Sequence, residues 1–413
     1  MTQSSEQRRD LGLRVAGGQE EECTPDIVWL GIGSSSVVIT EEGVVFVDVP
    51  LGNRAGQRVV EAIRKRTQAP IHTIIYTHGH MDHTWGVAPL LSDAQERGHP
   101  KPIIIAHELV PKRFDRYQRL HGQHEYINRI QFAIPEGEKV LPPQFFYPDI
   151  TYSDAMQFKL GGLTFELYHY MGETDDGTWV WVPERKTALI GDLLIGGCPN
   201  VGNPFKVQRY TLEWAEALER VAGKNPDFVI PAHGPVRRGE EARQICLDTA
   251  KYLRYIEDEV VRLLNEGCWI EEILERVKIP QDLSGKPWLA PVYGHPTFII
   301  HGVHRRYAGW YNGNPSELFP SRSSEIAVEV VRVGGIEQLL QRASKLQQEG
   351  NIQLALHLVD FVIRGAENDS KRKEALLLKA NLLDAKADAE PSLIARNIFR
   401  NGAQLVRKEA SSL

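Results

Sequence analysis

Short apolar runs separated by turn residues dominate the first part of the chain. Runs rich in β-branched residues at 27–30, 36–40 and 44–48 predict three strands, with Glu41-Glu42-Gly43 as the turn between the last two. A helix is expected over 54–67, and a buried strand follows over 71–77. Further strands are predicted at 102–106, 156–160, 163–168, 179–182, 187–190 and 228–230, with a helix at 211–222. This mixture predicts an α/β fold, a mixed-sheet sandwich with helices outside in an αββα arrangement.

The pattern changes after about residue 242, where helical spacing takes over and strand signals almost vanish. Antiparallel helix pairs are the natural interpretation, although no clean sequence period accompanies them. We therefore predict two domains, 1–243 and an all-α domain at 244–413. The predicted apolar helix faces are Leu339, Leu340, Ala343 and Leu346, then Leu354, Leu358, Val359 and Val362, then Ala375, Leu378, Leu382 and Leu383.

The composition is that of an ordinary globular protein, with 42% hydrophobic and 25% charged residues among 413. A formal net charge of −6 gives no electrostatic footprint for nucleic acid or for an anionic membrane surface. Residues 1–22 are polar and lack an apolar signal-peptide core, and no run is long enough to span a membrane, so a cytoplasmic location is expected. The four cysteines are widely spread, which predicts free thiols and no disulfide framework.

One segment carries the candidate chemistry: Thr77-His78-Gly79-His80-Met81-Asp82-His83 directly follows the predicted strand 71–77. Imidazole and carboxylate groups at this density are typical of sites for zinc or a similar divalent ion. Two histidines with one residue between them can converge on one ion, and the Asp82-His83 pair can face a second. The alternative is that these polar side chains lie on an exposed loop and bind no metal, but the density of the pattern argues against this.

The H-x-H-x-D-H pattern resembles the signature of the metallo-β-lactamase superfamily. That resemblance implies an αββα sandwich with the site at one edge and three further ligands downstream. The turn Met171-Gly172-Glu173-Thr174 is similar to the family's next ligand turn, with glutamate where histidine is commoner. Ile190-Gly191-Asp192 matches the strand that ends in a bridging acid, and Pro231-Ala232-His233-Gly234 matches the last ligand turn.

The implied ligand set has seven members in two groups. One ion would be held by His78, His80 and Glu173, and the other by Asp82, His83 and His233. Asp192 would span both ions, and Asp82 and Asp192 would act catalytically by positioning a metal-bound hydroxide. The resemblance thus implies two divalent ions per chain, with Zn²⁺ as the expected metal.

Glutamate at position 173 and several later segments resemble the alkylsulfatase branch of this superfamily. The stretch from Arg306 to Pro315 is similar to its G-W-[FY]-[DN]-G-N-P segment, and 260–283 and 395–405 resemble other parts of its dimerisation region. The expected assembly is therefore a catalytic domain at 1–243 and a dimerisation domain at 244–413 that pairs two chains. Retention of His80 argues against the flavodiiron branch, where glutamate usually takes this place.

Two divalent ions sharing a water lower its pKa from about 15.7 towards about 7, which supplies hydroxide at neutral pH. The expected activity is hydrolysis of a small-molecule ester, either an alkyl sulfate or a lactone, thioester or phosphoester. In the alkylsulfatases an asparagine and an arginine hold the sulfate. Asn200 matches the asparagine, but Phe205 stands at the arginine position, so Lys206 and Arg209 become the candidate substrate-binding cations.

A non-catalytic scaffold with a vestigial site is the competing interpretation from another functional class. The presence of all seven candidate ligands argues against it, because inactive relatives of enzymes generally lose some of them. The identity of the substrate, and cleavage at carbon or at sulfur if it is a sulfate ester, stay open at this point.

Overall fold

A computed structural model describes residues Gly18–Leu413. It divides into two compact units: one is the chain up to Glu125 together with Lys139–Gly309, and the other is Tyr126–Glu138 with Trp310–Leu413. The predicted polar N-terminal segment before Gly18 lies outside the described residues. Among the helices of the described part, none has both the length and the apolar content of a membrane span.

The first unit contains two sheets. In the larger sheet the seven strands follow chain order, with antiparallel pairing from β1 to β4 and parallel pairing from β4 to β7. Its strands are β1 (Glu21–Thr24), β2 (Ile27–Trp29), β3 (Ser36–Ile39), β4 (Val44–Val47), β5 (Ile71–Ile75), β6 (Ile103–His107) and β7 (Ile150–Tyr152). β2 to β6 confirm predicted strands; β1 and β7 are short and were not predicted.

The second sheet has the order β13-β12-β11-β10-β9-β8 and is antiparallel except between β11 and β12. Its strands are β8 (Ala155–Leu160), β9 (Leu163–Tyr170), β10 (Gly177–Val182), β11 (Thr187–Leu189), β12 (Phe228–Ile230) and β13 (Arg237–Arg238).

The central strands of both sheets, such as β4 and β10, are buried on both faces, which explains their continuous apolar runs. Along β4, Val45 and Val47 belong to the core between the sheets, and Val44 and Phe46 point to the helices outside. Along β10, Val180 faces the other sheet. Its neighbours Trp179 and Trp181 pack instead into the helical layer on the far side. The period-two alternation therefore builds three core layers and confirms the predicted αββα sandwich.

Helices cover the outer faces of the sandwich and connect its strands. Those before β8 are α1 (Asn53–Arg64), α2 (Met81–Thr84), α3 (Val87–Glu96) and α4 (Leu109–Arg119). The next helix, α5 (His121–Phe132), lies mostly in the second unit. Those after β11 are α6 (Thr211–Gly223), α7 (Gly239–Asn265), α8 (Ile270–Arg276), α9 (Gln281–Ser284) and α10 (Pro296–Ala308). All four cysteines are free, as expected; Cys23 is half-buried and the other three are buried.

The second unit is helical, as predicted. Its C-terminal helices are α11 (Ser323–Gly334), α12 (Ile336–Gln348), α13 (Ile352–Gly365), α14 (Asp369–Ala389) and α15 (Leu393–Ser412). Leu340, Ala343 and Leu346 form the buried face of α12 as expected. On α13 the predicted face is wrong at Leu354, which is 44% exposed. Ala355 takes its place there, because the buried face continues through Val359 and Val362 at helical spacing.

The predicted domain limit at residue 243 stays a prediction. Arg243 lies inside α7, whose buried side chains share a core with α6 in the first unit. The same unit includes α10, which approaches the loop after β11 very closely. A Cβ at Gly202 would stand 1.6 Å from the Phe298 carbonyl oxygen, so only glycine fits at this crossing.

Candidate metal centre

The candidate ligands sit where strands end at one edge of the sandwich. The His78–His83 segment begins three residues after β5, Asp192 follows β11 and His233 follows β12. Glu173 lies in the turn between β9 and β10. The carboxyl ends of parallel strands meet at one edge, and the turn of the facing sheet reaches the same edge. The structure therefore brings all seven predicted residues together.

The first group of donor atoms belongs to His78, His80, Glu173 and Asp192, all within 4.8 Å of one another. The His78 Nε2 and His80 Nδ1 atoms are 2.7 Å apart, so the two rings aim at one point. The second carboxylate oxygen of Asp192, Oδ2, lies 3.8 Å from the same His78 Nε2. This is a compact set of nitrogen and oxygen donors around a small volume.

The second group belongs to Asp82, His83 and His233 and satisfies the same 4.8 Å limit. His233 Nε2 lies 3.2 Å from Asp82 Oδ2, and His83 Nε2 lies 3.6 Å from that oxygen. Asp192 joins the groups, because its Oδ1 is 3.4 Å from His83 Nε2 while its Oδ2 faces His78. One carboxylate thus presents one oxygen to each group.

Two buried atoms at this junction have no hydrogen-bond partner: His83 Nε2 and Asp192 Oδ1. Buried polar atoms are normally paired, since leaving one unpaired costs about 1–3 kcal/mol. Neutral imidazole and carboxylate are ligands that a divalent cation prefers. The residues therefore fit a metal, and the molecule has a candidate metal site.

The electrostatics of the first group favour forms that can bind a cation. Burial, together with the charge of the nearby His83, lowers the pKa of His78 to about 4. Burial and the His78 ring hold the pKa of His80 well below its usual value. Burial alone would raise the pKa of Asp192, but the charges of His83 and His233 outweigh it and hold that pKa well below the usual value. Neutral rings and an ionised bridging carboxylate follow at neutral pH.

Asp48 contacts the candidate metal centre and was not predicted from the sequence. It is buried at the end of β4 with a left-handed backbone φ of 62°. Its carboxylate accepts hydrogen bonds from Thr77 N at 2.7 Å and Thr77 Oγ1 at 2.7 Å, and its Oδ2 lies 2.7 Å from His83 Nδ1. The contact with Nδ1 leaves Nε2 to face the donor group, as carboxylate partners of metal-binding histidines do. The signal that could have identified Asp48 is an acidic residue at the end of β4, the strand that pairs with β5.

A second missed set fixes the backbone between His78 and His80. Asp176 is fully buried, accepts a hydrogen bond from Gly79 N at 3.2 Å and pairs with the buried Arg113 of α4. A Cβ at Gly79 would stand 2.8 Å from Arg113 Cδ and 3.0 Å from an Asp176 oxygen. Glycine is therefore required here, and the ion pair holds the loop in register.

Asn200 and Arg209, two of the three predicted substrate-binding residues, both contact the candidate metal ligand Glu173. Asn200 Nδ2 donates to Glu173 Oε1 at 2.8 Å, and the Arg209 guanidinium donates to the same oxygen. Burial raises the pKa of Glu173 to about 7, with Arg209 opposing the rise and Asp192 adding to it. The third residue, Lys206, has its pKa lowered to about 7 by burial and by Arg209, while the charges of Glu173 and Asp82 oppose that change.

Two family models match the chain. The metallo-beta-lactamase superfamily model covers residues 28–233, which include all seven candidate ligands. The alkyl sulfatase dimerisation model covers residues 269–409.

Curated relatives carry related names. A linear primary-alkylsulfatase of Pseudomonas sp. is 25% identical over 355 residues, covering 81% of this chain and 67% of the relative. An alkyl/aryl-sulfatase of Saccharomyces cerevisiae is 22% identical, covering 92% of this chain and 62% of the relative. The chain thus spans only about 60–67% of the length of such relatives.

Among solved structures, a stereoselective inverting sec-alkylsulfatase from Pseudomonas sp. superposes with a TM-score of 0.83 at 20% identity. The match covers 97% of this chain and 67% of the other. At this identity the likeness shows a shared fold.

Proposed function

We propose that this chain, which matches the metallo-beta-lactamase superfamily model over residues 28–233 and the alkyl sulfatase dimerisation model over residues 269–409, is a dinuclear zinc hydrolase of an alkyl sulfate or related ester. One observation carries the proposal: seven nitrogen and oxygen donors form two groups that share the Asp192 carboxylate. A carboxylate with one oxygen towards each group is the arrangement that two neighbouring cations need.

The composition of the groups supports zinc. Imidazole and carboxylate without thiolate suit Zn²⁺, although the same donors also suit other first-row divalent ions. Two such cations would supply Lewis acidity and a water of lowered pKa, which removes the need for a serine or cysteine nucleophile.

The chain's own residues prepare this chemistry. His78 and His80 are kept neutral by burial, so their nitrogen lone pairs are available. Asp48 orients His83, and the Arg113–Asp176 pair orients the loop that carries both neutral histidines. We assign Asp82 and Asp192 the positioning of the attacking water, since their carboxylates lie beside both imidazoles of the second group.

The names of the relatives support a sulfate ester as the substrate, because four of them are alkylsulfatases or alkyl/aryl-sulfatases. Lys206 is the candidate residue for holding the charged end of that substrate. One observation favours a second candidate, a lactone, thioester or phosphoester hydrolase. Asn200 and Arg209 both donate to Glu173, which leaves Lys206 as the candidate cation for an anionic group.

A hydrolysis screen on zinc-loaded protein in ¹⁸O-labelled water tests the proposal. We expect chelator-sensitive release of sulfate from medium-chain alkyl sulfates, and the product that gains the label reports whether carbon or sulfur is attacked. Turnover of lactones, thioesters or phosphoesters without sulfate release would select the second candidate. Protein that binds about two zinc ions and hydrolyses no substrate of the panel would contradict the proposed function and favour a scaffold.

We further propose that the helical region pairs two chains into a homodimer, a role supported by the description of its family model. Light scattering at micromolar concentration should then give a mass of twice 46.6 kDa. A mass of one chain at that concentration would contradict the dimer and leave the hydrolase proposal untouched.

A further inference from the structure

Arg209 lies too deep in the loop after β11 to act as an exposed anion fork. The residue is 3% exposed, and the same terminal nitrogen donates both to Glu173 Oε1 and to the backbone carbonyl of Asn200. An arginine that recognises a sulfate or phosphate needs two free N–H groups side by side at the wall of the pocket. Here one end of the guanidinium is already committed to protein oxygens.

Glu173 receives both of its donors on one oxygen. Asn200 Nδ2 reaches Oε1 at 2.8 Å, and Arg209 reaches that same Oε1. Neither donor takes the other oxygen, Oε2, and the Glu173 carboxylate belongs to the donor group with His78 and His80. The clamp therefore fixes the direction of the carboxylate while it leaves one oxygen for a cation.

The loop that carries Arg209 is itself fastened to α10. Gln208 Nε2 donates to the Arg209 carbonyl at 2.7 Å and to the Gly302 carbonyl at 3.0 Å, and Arg305 Nε donates back to Gln208 Oε1 at 3.1 Å. The turn of Glu173 is tied in as well, because Tyr210 N donates to the Gly172 carbonyl at 3.0 Å. The position of the guanidinium is thus set from two sides.

We propose that Arg209 is a positioning residue for the candidate ligand Glu173 and not a substrate-binding residue, an inference that rests on the proposed metal-dependent function. The replacement of histidine by glutamate at this ligand position explains the need. A glutamate side chain has one more rotatable bond than histidine and adds a negative charge beside Asp192, and the Arg209 cation restrains the bond and offsets the charge.

The test compares Arg209→Gln with Arg209→Lys in the full chain, loaded with zinc. The first readout is the concentration of a competing chelator that removes half of the bound zinc, followed by elemental analysis. The second is kcat and KM for one anionic and one uncharged ester from the substrate panel. Arg64→Gln is the matched control, since it breaks another buried arginine–carboxylate pair, with Asp93, that contacts none of the candidate ligands.

We expect Arg209→Gln to lose zinc at a chelator concentration about 10–100-fold lower than the wild type, with Arg209→Lys in between. KM should change by the same factor for the charged and the uncharged ester, and Arg64→Gln should keep wild-type zinc retention. If Arg209→Gln keeps its zinc, the proposal is wrong, whether or not KM rises for the anionic ester alone.

A second variant and the zinc titration of the wild type cover two other outcomes. If Arg209→Gln does not fold, Asn200→Ala removes the other donor to Glu173 Oε1 and should also weaken zinc retention, by less, because its donor is uncharged. If the wild type binds zinc but hydrolyses nothing, the proposed function fails, while the zinc titration still decides the role of Arg209.

Discussion

The two compact units bury different kinds of side chain. In the first unit, charged or titratable groups such as His78, Glu173 and Asp192 are 7% exposed or less at the strand ends. In the described residues of the second unit, the buried polar residues are Asn128, Gln131, Ser392 and Asn397, and none of them carries a charge. Its buried set is otherwise apolar, with Leu382, Val359 and Ala375 fully covered.

This difference in buried side chains indicates that the first unit carries the chemistry, while the buried side chains of the second unit contribute mainly stability. Burying a charge costs free energy that its partners only partly return, so a cluster of buried acids and imidazoles is kept for what it binds. Apolar helix faces contribute stability in proportion to the area they remove from water. Substitutions in the first unit's strand ends should therefore abolish function in a folded chain, while substitutions in the helical core should unfold an otherwise competent one.

The largest effect should come from Asp192→Ala, because it removes the carboxylate shared by both donor groups. We expect kcat/KM to fall at least about 1000-fold, or about 4 kcal/mol of transition-state stabilisation, with loss of bound metal and a far-UV spectrum that is unchanged. Asp360→Ala, which breaks an ion pair with Lys379 in the helical unit, is the control and should retain full activity. An active Asp192→Ala protein would remove the basis of the comparison.

Next in size is Leu382→Ala in the helical core, where the side chain is fully buried. The cavity should lower the free energy of unfolding by about 2–5 kcal/mol in chemical denaturation, while activity per folded chain stays constant. Leu377→Ala on the same helix, 46% exposed, should cost far less. Equal losses for the two leucines would mean that the helical core is packed differently from the structure.

A smaller effect is expected from Asp48→Asn, which keeps the size of the side chain but removes its charge. One amide cannot replace a carboxylate that faces Thr77 N, Thr77 Oγ1 and His83 Nδ1 together. Metal affinity should fall about 10–100-fold in a chelator titration. Asp149→Asn, at a carboxylate that bonds Lys101 and Ile104 N, should leave that affinity unchanged; an equal loss there would point to a general charge effect.

The smallest effect should come from Val333→Lys on α11, since Val333 is 88% exposed. The free energy of unfolding should change by less than about 0.5 kcal/mol. If the free energy of unfolding instead falls by more than this, and the mass by light scattering falls to that of one chain, then Val333 is covered by a second copy of the chain. That outcome would sharpen the contrast between the units by placing an apolar contact of the second at a dimer interface.

The two regions also differ in how well sequence predicted them. The strands that lead to the site were predicted because a strand buried on both faces is a continuous apolar run, and the ligands because they stand in short motifs at the strand ends. Asp48 escaped prediction because its contacts join residues 29 and 35 positions apart, and nothing in the local sequence marks that distance.

Orientation was harder to predict than position. Asn200 and Arg209 were predicted to bind the substrate; both donate hydrogen bonds to Glu173, a contact that the sequence did not predict. Spacing along a chain places a residue near a site, but the direction of a long side chain depends on partners that only the fold supplies. The face of α13 shows the same limit, because adjacent leucines and alanines leave the helical phase ambiguous by one residue.

The crossing of Gly202 over the Phe298 carbonyl bears on any attempt to shorten the protein. The superfamily match stops at residue 233 and the dimerisation match starts at 269, which invites a cut between them. Such a cut would remove α10 from the loop that carries Asn200 and Arg209. Gly202 and Gln208 of that loop would then lose their contacts with the backbone of α10. A minimal catalytic fragment should therefore extend through Gly309, and exchange of dimerisation regions between relatives should join them after that residue.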